Sequence, residues 1–403
     1  MTSFHWRDVL NSDNEFSIPP EKWTAMNASM TKAEIIEVLQ DAVDNTGMPF
    51  PFRKITLEQA TEDFRKLRFL DTKRVTEHSP WSNMHTYRYD NVDVIVGKSN
   101  IGMTSSNYFH HRYRYNCESK VYVASALRAW QNRSIRHHIF KPLWTMKIAS
   151  VNPGEIRSCA NMRTHVAPQF RPSVAKFIYD RFGGGRVLDF SAGWGDRLSA
   201  ALATSSVTHY TGIDPNTNLH PGYQAQIQAY NRNVDGDVFD WFGSFTPKTV
   251  RMIHSPAEDA DLGDDTFDIV FTSPPYFDRE RYSDSDTQSW KRYTRAESWL
   301  SGFMYPVVKK VWDRIRPGGH LCINIADLVK PGRISLCDPM NDYIGTMLGA
   351  RYQGAIGMEM SPRPGRFRDG ATNRGSLSYV EGKPLAEESG QVYEPIWIWR
   401  KES

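Results

Sequence analysis

From about residue 185 onward, short unbroken apolar runs alternate with longer amphipathic stretches, the pattern of a parallel sheet buried on both faces. Gly185-Arg186-Val187-Leu188-Asp189, Tyr210-Thr211-Gly212-Ile213-Asp214, Phe267-Asp268-Ile269-Val270-Phe271 and His320-Leu321-Cys322-Ile323-Asn324-Ile325 each read as a strand. Gly354 to Met360 and Glu394 to Lys401 predict two more. A helix is predicted to open near Asp196, and another to run from Trp299 to Ile315, stopped by Pro317-Gly318-Gly319. The first 155 or so residues read differently. Thr31-Lys32-Ala33-Glu34 is a capping box, and Ile35, Leu39 and Val43 fall on one face of the helix it opens. A second helix follows Thr56, and beyond Pro80 the periods fade into aromatic and basic residues. The pattern predicts a helical or mixed accessory domain over residues 1–155 and an α/β domain of Rossmann-like type over 156–403.

Composition sharpens this only slightly. A chain of 403 residues exceeds what one core usually supports, which agrees with two domains. The formal charge of +3 is too small to announce a nucleic acid partner, so any such surface has to come from local clustering. Two clusters qualify, Tyr108-Phe109-His110-His111-Arg112-Tyr113-Arg114-Tyr115-Asn116 and Trp130-Gln131-Asn132-Arg133-Ser134-Ile135-Arg136-His137-His138. In them Arg112, Arg114 and Arg133 suit phosphates and the rings suit bases, although a half-exposed strand alternates in the same way. The basic, glycine-rich stretch holding Arg363, Arg366, Arg368 and Arg374 is a third candidate. Cys117, Cys159, Cys322 and Cys337 have neither metal-ligand nor disulfide spacing, which predicts a reducing, intracellular setting without structural metal. No signal core or bilayer-spanning run is evident, so no membrane partner is expected.

The candidate chemistry sits at the ends of the predicted strands. At the strand-to-helix turn Asp189-Phe190-Ser191-Ala192-Gly193-Trp194-Gly195, two residues without Cβ allow close approach of a ligand to the backbone. The third glycine of a dinucleotide fingerprint is missing, and Asp189 suits a cationic group better than a pyrophosphate. One βα unit later Asp214 closes its strand, where an acid can accept from both hydroxyls of a ribose. Glu258 and Asp259 follow Met252-Ile253-His254-Ser255-Pro256. Then Thr272-Ser273-Pro274-Pro275-Tyr276 leaves the apolar run at Phe271. Prolines give a stiff backbone with free carbonyls, flanked here by a hydroxyl and an aromatic face, a set that suits a planar amine such as a nucleobase.

These motifs, in this order, resemble the S-adenosylmethionine-dependent methyltransferases that modify exocyclic amino groups of DNA bases. Ser-Pro-Pro-Tyr is similar to the family's motif IV, whose serine form after threonine is commonest among N4-cytosine enzymes, with N6-adenine enzymes favouring Asp or Asn. The glycine turn resembles motif I, with Phe190 and Ser191 standing where the family has Pro and Phe. Phe170-Arg171-Pro172-Ser173-Val174-Ala175-Lys176-Phe177-Ile178 resembles the helix before motif I.

The resemblance covers roughly residues 160 to 403. It implies a class I Rossmann-like methyltransferase sheet of seven strands, the last antiparallel. It also implies S-adenosylmethionine held by Asp189, Phe190, Ser191, Gly193, Gly195 and Asp214, with Asp259 or Glu258 at the adenine. Tyr276 would stack on a base flipped from duplex DNA or met in a single strand, while Ser273 and the Pro274 carbonyl, braced by Pro275, accept the amine's hydrogens. Two alternatives stay open: a methyltransferase for RNA or another planar amine or amide, and a non-catalytic binding protein of the same fold.

Overall fold

A computed structural model describes residues 4–78, 92–232, 246–328, 334–360, 379–380, 383–384 and 392–402. The chain forms two compact units that interleave in sequence. Met1–Lys54 joins Arg112–Pro168, and Ile55–His111 joins Gln169–Ser403, whereas the sequence reading places a single boundary near residue 155.

The smaller unit is helical. The capping box at Thr31 forms as expected, with the Thr31 N–H donating to Glu34 Oε2 at 2.7 Å and the Glu34 N–H donating back to Thr31 Oγ1 at 3.3 Å. It opens helix Lys32–Thr46, which ends on Gly47 at φ 62°. Ile35, Leu39 and Val43 enter a core with Phe16, Trp130 and Phe140. The cluster from Trp130 to His138 lies in helices Ala126–Gln131 and Arg133–Phe140, so its periodicity belongs to helices.

The larger unit holds a nine-stranded sheet, its strands numbered in chain order: β1 Thr76–His78, β2 Val92–Val96, β3 Gly185–Asp189, β4 Val207–Ile213, β5 Thr249–Ile253, β6 Phe267–Thr272, β7 Ile315–Asn324, β8 Arg351–Met360 and β9 Val392–Arg400. Their spatial order is β1-β2-β8-β9-β7-β6-β3-β4-β5. Strands β3 to β7 run parallel, and β9 lies antiparallel between β8 and β7. Apart from β1 and β2, this is the seven-stranded class I methyltransferase fold, Rossmann-like with the last strand reversed. The apolar runs make it so: Val187, Leu188, Ile269, Val270, Phe271, Leu321 and Ile323 are fully buried, as strands covered on both faces must be.

Three elements depart from the sequence expectation. β1 and β2 extend the sheet, since β2 pairs in parallel with β8 from Ala355 to Met358. Tyr108 to Arg114 lies in helix Met103–Arg114, the aromatic and basic residues winding round a helix where a half-exposed strand was the alternative. Pro317-Gly318-Gly319 lies inside β7, where Phe267 faces Ile315 and Ile269 faces His320, so the motif is a bulge as the strand starts. Gly319 fits there because a Cβ would stand 2.8 Å from the Asp268 carbonyl oxygen. Among the described residues no helix is long and apolar enough to cross a membrane.

Candidate active site

Parallel strands deliver their carboxyl ends to one side of the sheet, and the break in strand order between β3 and β6 opens a crevice there. The first wall of that crevice is the turn after β3. Asp189 is fully buried, and its carboxylate accepts four hydrogen bonds: from the Ser191 N–H at 3.2 Å and Thr272 Oγ1 at 2.9 Å on one oxygen, and from Arg197 Nε at 2.7 Å and the Tyr210 hydroxyl at 2.9 Å on the other. Four donors use the lone pairs a carboxylate offers. Asp189 therefore ties the turn to β4, β6 and helix Asp196–Ala203, with Arg197 paired to its charge. Arg197 also donates to the Ser191 carbonyl, and Phe190 is buried beneath.

Gly193 and Gly195 both have left-handed backbones, φ 60° and 72°. Gly195 is required twice over, because a Cβ would collide with Gln226 and come within 2.9 Å of His110 Nε2. Gln226 donates to the Gly195 carbonyl at 2.8 Å and Tyr223 donates to that of Gly193, so helix His220–Tyr230 fixes the turn from behind. His110, whose Nε2 meets Gln226 at 3.1 Å, is pushed down to about 4 by burial.

Asp214 projects beyond β4 into the turn. The Gly193 N–H donates to one of its oxygens at 2.9 Å and the Asn216 N–H to the other at 2.8 Å. Among the described residues these two backbone groups are its hydrogen-bond donors, and no cation salt-bridges it. Burial therefore dominates, lifting Asp214 from 3.8 to about 6 against the pull of the two N–H groups. Its remaining lone pairs are the ones a pair of ribose hydroxyls would fill. Next to it His220 donates to the Asp214 carbonyl at 2.9 Å, and its ring stacks obliquely on His254, 4.4 Å between centroids.

Glu258 and Asp259 are both paired, Asp259 with about half of its side chain exposed. Arg292 binds both, at 2.9 and 2.7 Å, and the Tyr293 hydroxyl donates to Glu258 at 3.2 Å. Lys310 Nζ caps the loop by donating to the carbonyls of Ala257, Glu258 and Ala260. Arg292 belongs to the segment after Tyr276, which also brings Tyr282 edge-on to Trp194 at 5.8 Å and Thr287 Oγ1 to the Pro215 carbonyl at 3.5 Å. One segment thus touches all three turns.

Ser273-Pro274-Pro275-Tyr276 leaves β6 beside the Asp189 turn, joined through Thr272. The Phe277 N–H bonds back to the Pro275 carbonyl at 3.0 Å, and Phe277 itself is held at φ 53°, a strained conformation for a bulky residue. The turn aims Tyr276 back across the strand ends, where its hydroxyl donates to Glu394 Oε1 at 2.9 Å and lies 3.4 Å from Asn324 Oδ1. Because β9 is antiparallel, its first residues, including Glu394, lie where β6 and β7 end. Arg197, Gln226, Arg292, Asn324 and Glu394 are the residues of this site that sequence reading passed over. Only Asn324, a polar residue closing an apolar strand, carried a readable signal.

The arginines expected at phosphates fall in three places. Arg133 is paired with Glu37, Asp41 and Asp44, the first two at 2.6 and 2.8 Å. Arg114 Nε donates to the Ala167 carbonyl at 2.9 Å, and the Arg112 guanidinium lies 5.6 Å from the centre of the Phe52 ring. Arg363, Arg366, Arg368 and Arg374 lie outside the described residues. The helix expected before the glycine turn forms as Pro172–Arg181, and Arg171 at its start donates to the Gly97 carbonyl at 3.1 Å.

No protein family and no curated protein matches the chain. Solved structures to which it is similar include TrmN from Thermus thermophilus, at 13% identity and a TM-score of 0.33, covering 57% of this chain and 48% of that one. Two others are TehB from Haemophilus influenzae, at 10% and 0.33 over 57% and 62%, and the tRNA (m1A58) methyltransferase TrmI from Aquifex aeolicus, at 12% and 0.32 over 58% and 70%. The chain thus spans about half of the TrmN chain. Likenesses this low leave the fold to be assigned from the strand order above.

Proposed function

We propose that this protein transfers a methyl group from S-adenosylmethionine to the exocyclic amino group of a base in DNA, with N4 of cytosine favoured over N6 of adenine. The observation that carries the reading is the arrival of Ser273-Pro274-Pro275-Tyr276 at the same end of the sheet as the half-satisfied Asp214 carboxylate and the left-handed glycine turn. The donor set fits the cofactor: Asp214 has lone pairs for two ribose hydroxyls, and at Gly193 the nearest atom to a Cβ would be 3.7 Å away, leaving room for a ligand along the backbone. When bound, that group supplies an electrophilic methyl carbon.

The chain's own residues would do the rest by orientation. Ser273 and the Pro274 carbonyl accept the amine's hydrogens and so point its lone pair away from them. The lone pair so directed would meet the methyl carbon that the bound group supplies, the C–S electrons staying on sulfur and one amine proton leaving to solvent. The target atom is hidden in a duplex, so the base is flipped out or met in a single strand. Arg363, Arg366, Arg368 and Arg374 are the proposed phosphate contacts.

Incubating the protein with labelled S-adenosylmethionine and, separately, duplex DNA, single-stranded DNA, RNA or protein, then digesting and weighing the modified unit, tests the reading. N4-methylcytosine is the expected product. N6-methyladenine keeps the enzyme class and refutes the preferred base, label in RNA or protein refutes DNA, and no label in any substrate refutes the enzyme.

A further inference from the structure

Behind the glycine turn lies a buried titratable side chain that the proposed chemistry does not use. His110, on helix Met103–Arg114, is packed with Ser105, Ser199 and Gln226, all three fully buried. The hydrogens of this group can be counted from one end. Ser105 Oγ donates its single hydrogen to the Gly102 carbonyl at 2.6 Å, so the Ser199 hydroxyl, 2.9 Å away, must donate to Ser105. Ser199 is then an acceptor for Gln226 Nε2 at 2.7 Å, and the same nitrogen gives its other hydrogen to the Gly195 carbonyl at 2.8 Å. That leaves Gln226 Oε1, which can only accept, facing His110 Nε2 at 3.1 Å. Nε2 must therefore carry the ring's hydrogen, and Nδ1, buried with no hydrogen-bond partner among the described residues, is bare. Burial keeps the ring neutral at neutral pH.

We propose that His110 is a positioning residue of the cofactor site: by donating to Gln226 it fixes which way that amide faces, and so holds the Gly195 carbonyl back and the left-handed turn in the shape that takes S-adenosylmethionine. The inference rests on the methyltransferase reading above and adds a residue from outside the stretch that carries the motifs. Turned over, Gln226 would set its oxygen against the Gly195 carbonyl, two acceptors face to face, and its nitrogen against His110. A trans peptide carries its N–H opposite its C=O, so a Gly195 carbonyl held from behind turns the Asp196 N–H the other way, out of the start of helix Asp196–Ala203. Helix His220–Tyr230 is shaped to admit the ring, since at Gly222 a Cβ would stand 2.5 Å from His110 Cε1.

Two measurements test this. The first needs no ligand: in protein labelled with nitrogen-15 in histidine, the His110 imidazole, identified by its loss in His110→Gln, should carry its hydrogen on Nε2 at neutral pH. A hydrogen on Nδ1 overturns the proposal. The second is calorimetry with S-adenosylmethionine. His110→Phe keeps a ring but offers no donor, and should bind the cofactor about tenfold more weakly, which is about 1.4 kcal/mol and within what one unpaired buried acceptor costs. His110→Gln, whose amide nitrogen stands as many bonds from the backbone as Nε2, should bind as the wild type does, and His110→Phe should add nothing to the loss in Gln226→Met. A merely structural histidine would lower stability and leave affinity unchanged in His110→Phe, and that result overturns the proposal, as does equal weakening in His110→Phe and His110→Gln. Should His110→Phe fail to fold, Gln226→Met takes its place, and unchanged affinity there overturns the proposal. A wild type that binds no S-adenosylmethionine overturns the cofactor reading and the role of His110 together, whereas a wild type that binds it no better than His110→Phe overturns the role alone.

Discussion

Replacing Asp214 with asparagine should weaken cofactor binding and, as pH rises, make the empty protein relatively more stable. Folding lifts this carboxyl from 3.8 to about 6. A group whose folded value is raised adds stability below its unfolded value and loses it as pH climbs through the folded one, so the ionised Asp214 is a cost at neutral pH. The difference of about two pH units is worth about 3 kcal/mol at roughly 1.36 kcal/mol per unit. Asparagine removes that cost but has a single acceptor oxygen for the N–H groups of Gly193 and Asn216, so one of them loses its partner, at about 1–3 kcal/mol. The balance is destabilising near pH 4.5 and close to neutral or favourable near pH 8. Denaturant unfolding of both proteins at those two pH values measures it. Calorimetry with S-adenosylmethionine should show affinity falling about a hundredfold, since two hydrogen bonds to a charged acceptor are worth about 1.5–3 kcal/mol each and each 1.4 kcal/mol is tenfold. A stability difference that does not change with pH would refute the burial argument, and unchanged affinity in the folded variant would remove Asp214 from the ribose.

The two turn glycines should separate cleanly. Gly193→Ala meets only ordinary contacts, the nearest atom at 3.7 Å, and should cost only left-handed strain, about 1–2 kcal/mol, while Gly195→Ala adds the collision with Gln226 and His110 and should cost at least about 1 kcal/mol more, both read by urea unfolding. Ser273→Ala should lower kcat far more than cofactor affinity, and equal losses in both would move Ser273 out of the amine site. Arg133→Ala should leave DNA affinity and its salt dependence unaltered in a filter-binding assay while costing up to about 1 kcal/mol of stability, because the guanidinium is partly exposed among three carboxylates. A flattened salt slope would return it to a phosphate.

The strands that carry the motifs were legible because a parallel strand covered on both faces must be a continuous apolar run, and such runs end where the ligand side begins. The turns were legible because Gly193 and Gly195 both hold left-handed backbones, and at Gly195 a Cβ has no room as well. Other features depend on distant partners. The bonds that Asp189 accepts from Arg197, Tyr210 and Thr272 join it to elements that no local pattern links to it. Arg133 looked like a free cation because its three acids lie on a helix almost a hundred positions earlier. Glu394 is a lone acid at the mouth of an apolar strand, and nothing in its neighbourhood says that β9 inserts between β7 and β8. The bulge in β7 was hidden because Pro-Gly-Gly ends helices more often than it begins strands.

The pairing of β2 with β8 has a consequence for how the protein can be cut. β8 is ten residues long and rich in buried apolar positions, and β2 pairs with it from Ala355 to Met358, so that among the described residues the three-residue β1 is the rim on that side. A long apolar rim recruits other chains, whereas a short one offers little to add to. An expression fragment beginning near residue 156 would keep every motif of the candidate site and still bare β8 to solvent. It should aggregate, and one that retains Ile55 to His111 should not.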